Sequence, residues 1–194
     1  MDRERLEQQI SFILEIDKEK NIFRQTSLSG HGRKENDSEH AWHMAVMVWL
    51  LSEYANEEID VAKTMLMCLI HDIVEIDAGD TYAYDEEGKK SQKEREERAA
   101  DRLFGLLPED QGRALRAVFE EFEAAESAEA KFARALDNFQ PLLLNDSNDG
   151  GDWKEHGVKL PQVLERQSRT ERGSAVLFQK TMEILEKHAK RGNL

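Results

Sequence analysis

Residues 61–80 read VAKTMLMCLIHDIVEIDAGD, and this stretch decides the fold. From Met65 to Ile70 every side chain is apolar. The segment therefore predicts a helix over about 61–76, apolar almost all round and central in the molecule. Asp60 is placed to cap its start and Gly79 to end it. Three ionisable side chains, His71, Asp72 and Glu75, interrupt the apolar surface. Such groups are costly to bury without partners, so neighbouring elements must compensate them. His71 and Asp72 stand about 100° apart around a helix, close enough to reach one ion between them. Glu75 follows one turn later on the same side. Taken alone, the pair reads far more readily as a helix end with Asp72, Glu75 and Asp77 facing water.

Outward from this segment the chain continues in helices. Residues 2–19 carry Leu6, Ile10, Ile13 and Leu14 at helical spacing. A loop over about 21–37 holds Arg24, Gly30, Gly32 and Arg33. Ser38 is the expected N-cap, with Glu39 in the first turn, of a helix over about 39–55. The charged run 85–98 reads as a solvated helix face or loop. Helices follow over about 109–124, 127–145, 160–171 and 174–190, with a polar loop at 145–151. No segment sustains period-two alternation, no repeat occurs, and no linker divides the chain. The expected fold is all-α, one compact helical bundle spanning 1–194.

Two of these helices carry matching interruptions. His40 shares a stripe with Met44, Met47 and Leu51, which sets an imidazole on a buried face, and His43 lies one turn on. Asp137 follows Leu136 on the core stripe formed by Phe132, Leu136, Phe139 and Leu143. His40, His71, Asp72 and Asp137 together supply two imidazoles and two carboxylates from three helices. That is a mixed nitrogen and oxygen shell suited to a divalent metal, with positions left for water and substrate.

Composition bounds the partners. Apolar residues are 39% of the chain and aromatic residues 7%, so aliphatic side chains must build the core. A net charge of −13 repels polyphosphate backbones and argues against polymeric nucleic acid. No apolar run approaches the about 20 residues of a membrane span. The N-terminal stretch MDRERLEQQISFILEID lacks the features of a secretory signal. The lone Cys68 reads as a small buried hydrophobe. The expected location is the cytoplasm.

Three segments now bear on identity: GRKENDSEH at 32–40, HDIVEIDAGD at 71–80 and Ala-Leu-Asp at 135–137. In this order they resemble the HD-domain superfamily of metal-dependent phosphohydrolases, and more closely its 5′-deoxynucleotidases. The resemblance covers about residues 10–180 and implies an HD-type helical bundle. It implies His40, His71, Asp72 and Asp137 as metal ligands, with the Ser-Glu-His motif selecting His40 over His43. It implies Glu75 as the residue that orients or activates water, Asp80 near the sugar and leaving oxygen, and Arg24 as a phosphate contact. Arg33 is a second candidate for the phosphate. The chain departs from the family at Gln25, where a tryptophan is common, and at Thr81-Tyr82-Ala83-Tyr84, where a proline turn is common.

The reaction so implied is hydrolysis of a (deoxy)nucleoside 5′-monophosphate to nucleoside and phosphate. Two-iron relatives use extra histidines between the His-Asp pair and the last aspartate, and none occurs here between 72 and 137. One metal ion is therefore expected, from Mn, Co, Fe or Zn. Relatives are often dimers, so a homodimer is the expected assembly. One alternative is an HD hydrolase of alarmones or nucleoside triphosphates, which would want more basic residues than the few expected near the site. A cyclic-nucleotide phosphodiesterase would want the missing histidines. A non-catalytic helical regulatory or scaffold module would keep the His-Asp pair for structure alone.

Overall fold

The computed structural model describes residues 3–194. Residue 2, where the first helix was expected to begin, lies outside them. In chain order the elements are α1 (Arg3–Ile16), β1 (Phe23–Ser27), β2 (Lys34–Asn36), α2 (Asp37–Leu51), α3 (Val61–Ile70) and α4 (Glu75–Ala78). There follow α5 (Glu86–Phe104), α6 (Glu109–Ala124), α7 (Ala128–Ser147), α8 (Gly151–Glu155), α9 (Leu160–Gln167), α10 (Thr170–Gly173) and α11 (Ala175–Arg191). The all-α expectation holds, with a small antiparallel hairpin inside the stretch read as a loop. Its register pairs Phe23 with Asn36 and Ser27 with Lys34. Strands this short and irregular leave no period-two signature.

The centre of the bundle is α7, not the 61–76 segment. α7 packs against α2, α3, α6, α10 and α11. It buries Phe132, Ala133, Ala135, Leu136, Phe139 and Leu142. α3 buries Met67, Cys68 and Ile70 but leaves Leu66 and Leu69 at the surface. Mean apolarity reports how greasy a helix is, not which neighbour covers each side. The same reason corrects α1. Its stripe faces water, with Ile13 60% and Leu14 67% exposed, and Phe12 is the residue that enters the core.

Two apolar clusters form the core. One joins α2, α3, α7 and α11 through Met44, Val48, Met67, Leu136 and Leu185. The other joins Phe12 to Ile70, Ile73, Val74, Leu103 and Phe119. α10 presses so closely on α7 that a Cβ on Gly173 would strike the Lys131 carbonyl. Among the described residues no helix is long and apolar enough to cross a membrane.

Candidate metal centre

His40 owes its place to the start of α2. Asn36, not Ser38, is the N-cap: its side chain accepts from Glu39 N, and the Glu39 carboxylate accepts from Asn36 N. This capping box starts the helix one residue later, at Asp37, and puts His40 in the first turn facing α7. Ser38 instead donates to the buried Glu19.

His71 and Asp72 are not inside a long helix. α3 ends at Ile70, and tight bonds from Ile73 N to Ile70 O and from Glu75 N to Asp72 O carry the chain into α4. The tightened turn brings His71, Asp72 and Glu75 to one cavity wall. Asp137 reaches the same wall from α7. Gly79, at φ +74°, then makes the sharp exit that presents Asp80.

The four expected ligands converge. One ligand atom each from His40, His71 and Asp72 lies within 4.8 Å of the others. Asp137 Oδ1 stands 3.3 Å from His40 Nε2 and 3.9 Å from His71 Nε2. Asp72 Oδ2 stands 3.0 Å from His71 Nε2.

Both imidazoles are oriented from behind. His71 Nδ1 donates to the Cys68 carbonyl at 2.9 Å, so its Nε2 carries the lone pair when the ring is neutral. That nitrogen is buried without a hydrogen-bond partner. His40 Nδ1 donates to Gln140 Oε1 at 3.0 Å. Gln140 Nε2 in turn donates to Glu35 Oε1 at 2.7 Å and to His43 Nδ1 at 3.1 Å, which settles the amide's orientation. Two Nε2 lone pairs facing two carboxylates repel unless a cation lies among them, so the residues fit a divalent metal. His43 supports this arrangement from behind Gln140.

Electrostatics separates the two imidazoles. Burial, and then Arg24, lower His40 to about 4, leaving it neutral as a ligand must be. Burial opposes a charge on His71, yet Asp72 and Asp137 raise it to about 9, so a proton on this ring offsets the two carboxylates until a bound cation displaces it. Burial likewise opposes charge on Asp72, but His71 and Arg24 hold it well below the usual carboxylate range.

A second group of carboxylates adjoins the first. Oxygens of Asp37, Glu75 and Asp80 lie within 4.8 Å of one another. Burial and the nearby Asp72 raise Asp37 to about 8 and Glu75 well above its usual range. Burial also raises Asp80, against the pull of Arg24. Arg24, on β1, sits among them and donates to Asp72 Oδ2 at 2.6 Å and to Asp37 Oδ1 at 3.3 Å. It lines the cavity, but its Nη1 is committed to carboxylates. Arg33 does not reach the cavity; it is exposed and pairs with Glu39.

The cavity has a volume of about 760 Å³. Tyr82, Tyr84 and Trp153 form part of its wall. The expectation of few basic residues is overturned: Arg24, Lys89, Lys93, Arg116, Arg134 and Arg166 all line it. They come from β1, α5, α6, α7 and α9, so no local cluster announces them. Asp37, Glu35 and Gln140 were missed for a similar reason. A glutamine on a core stripe, three after Asp137, was the available signal for Gln140.

Comparison with known proteins adds the lineage. The HD domain profile matches residues 16–177. Human 5′-deoxynucleotidase HDDC2 is 34% identical over 111 residues, covering 57% of this chain and 53% of its own length. The Bos taurus protein of that name matches to the same extent. The matched region thus spans about half the length of these curated relatives. A crystal structure from Magnetospirillum magnetotacticum MS-1, described as a predicted metal-dependent phosphohydrolase, has a TM-score of 0.94 and 49% identity. The match covers 98% of this chain and 95% of that one. With the family profile matched over residues 16–177, most of its length, the chain belongs to the HD domain family.

Proposed function

We propose that this chain is a metal-dependent phosphohydrolase that cleaves (deoxy)nucleoside 5′-monophosphates to nucleoside and phosphate. One observation carries the reading. Two buried imidazoles commit Nδ1 to Gln140 and the Cys68 carbonyl, and direct Nε2 at the carboxylates Asp72 and Asp137. His40, His71, Asp72 and Asp137 would hold one divalent ion, of Mn, Co, Fe or Zn. Such an ion supplies Lewis acidity toward phosphoryl oxygens and makes water a better nucleophile near neutral pH.

The chain's own residues do the rest. Glu75 keeps Oε2 free of hydrogen bonds in the cavity, so it can align water, and once a bound cation offsets the burial and neighbouring carboxylates that hold it protonated it can take that water's proton. Asp80 has a raised pKa, the property needed to hand a proton to the leaving 5′-oxygen. Arg24 offsets charge near the phosphoryl group while holding Asp72 in place. Tyr82 and Tyr84 offer aromatic surface for a sugar or base, in keeping with the deoxynucleotidase name of the curated relatives.

A monophosphate is favoured over an alarmone or triphosphate because most cavity cations are already matched. Arg116 pairs with Asp101 and Glu120, Arg134 with Glu123, and Lys89 with Glu86. The reading includes a homodimer, supported by the outer face of α2. There Trp42 and Trp49 are 64% and 70% exposed, beside exposed Val46 and Leu50. A cytoplasmic location is supported by a single cysteine, buried and free.

The test is metal content by mass spectrometry, then phosphate release from a panel of mononucleotides with Mn²⁺ or Co²⁺. Asp72→Ala and Glu75→Ala are each expected to lower turnover by about 10²-fold or more. Activity surviving in either variant would sink the mechanism. Pyrophosphate release from an alarmone would reassign the substrate, and an inert, metal-free protein that binds a partner would support the scaffold reading.

A further inference from the structure

The cations around the cavity are not equivalent. Arg24, Lys89, Lys93, Arg116 and Arg134 each lie within 4.0 Å of a carboxylate. Arg166, on α9, lines the same cavity and, among the described residues, makes no hydrogen bond or close ion pair. Its helix is nevertheless firmly seated. Val163 and Gln167 are buried, Gln167 Nε2 donates to the Asn138 carbonyl at 2.8 Å, and Thr170 donates to Gln167 Oε1 at 2.9 Å. Asn138 directly follows Asp137, so this bond ties α9 to the wall that carries the metal-centre carboxylate. Arg166 is close enough to draw on Asp137, Asp80, Tyr82 and Tyr84 electrostatically.

A guanidinium beside several carboxylates, yet bonded to none, is in position for a ligand anion. The need for one follows from charge. Asp37, Asp72, Glu75, Asp80 and Asp137 crowd the site, and the Nη1 group of Arg24 is engaged by two of them. A phosphate dianion entering here meets carboxylates on several sides, and Arg24 alone does not reverse that field.

We propose that Arg166 binds the anionic group of the substrate, closing on the phosphoryl oxygens from α9 while Arg24 faces them from β1. This rests on the phosphohydrolase reading above, and it assigns a second anion contact from a helix outside the motifs that suggested that reading. The planar fork of arginine suits two phosphoryl oxygens at once, which lysine does not reproduce.

Inorganic phosphate is the probe, titrated calorimetrically into the full chain loaded with Co²⁺. Arg166→Gln is expected to weaken phosphate binding about ten- to hundredfold. Arg166→Lys is expected to recover part of that loss. Metal content and melting temperature should stay at the wild-type level, because Arg166 holds no protein partner. Phosphate affinity unchanged in Arg166→Gln, or no phosphate binding by the loaded wild type, would overturn the proposal. So would loss of the metal or of stability in the variant, which would make the role structural. Phosphate binding that depends on Arg166 in a protein that turns over no nucleotide would uphold this inference and defeat the hydrolase reading.

Discussion

At the scale of single residues, the centre depends on side chains that never touch its ion. Gln140 is fully buried and links His40 to Glu35. Gln140→Leu frees the His40 ring to choose the other tautomer, so metal affinity is expected to fall about 10- to 100-fold. A competition titration against a chelating dye would measure it, and unchanged affinity would refute the role. Glu19 tests burial instead of ligation. Burial raises it to about 7, against the donated Ser38 hydroxyl. A raised carboxyl contributes stability that is full below its unfolded value, about 4.5, and lost as pH rises through about 7. Glu19→Gln should therefore flatten the decline in denaturation midpoint between pH 5 and pH 8. A variant whose midpoint falls as steeply as the wild type's would show that Glu19 is not the source.

At the scale of elements, the centre is placed by where helices begin and end. α2 starts at its capping box, and α3 stops at Ile70 so that His71 and Asp72 occupy the turn. Asn36→Ala removes the side-chain acceptor for Glu39 N and should destabilise the protein by about 1 kcal/mol. Chemical denaturation would read this directly. Because His40 lies in that first turn, a weaker metal affinity is expected alongside. Asn36→Asp, which keeps an acceptor, should preserve both.

At the scale of the whole molecule, α2 divides its surface between two tasks. Its inner side delivers His40 and packs Met44 and Val48 into the core. Its outer side leaves two indoles in water, on the order of 300 Å² of apolar surface, a size that marks an interaction site. Trp49→Glu is expected to convert a dimer to a monomer by light scattering, with little change in helical content. A wild type that already runs as a monomer would remove the dimer from the reading.

The sequence by itself determined the helical class and most helix positions, because core stripes recur at helical spacing in α2 and α7 and no segment alternates with period two. It also singled out His40, His71, Asp72 and Asp137, since ionisable groups on apolar faces stand out in one dimension. The resemblance of its motifs to the HD-domain family pointed to Glu75 and Asp80. Only the tertiary structure decided which helix is central, because burial depends on neighbours and not on apolarity. Arg33 and Arg24 look alike in sequence, yet one pairs with Glu39 at the surface and the other lies against Asp72. Asp37, Gln140 and Arg166 were illegible for the same reason. The partners of Asp37 and Gln140 lie up to 105 residues away along the chain, and only folding brings these residues and Arg166 to the cavity of the His71-Asp72 turn.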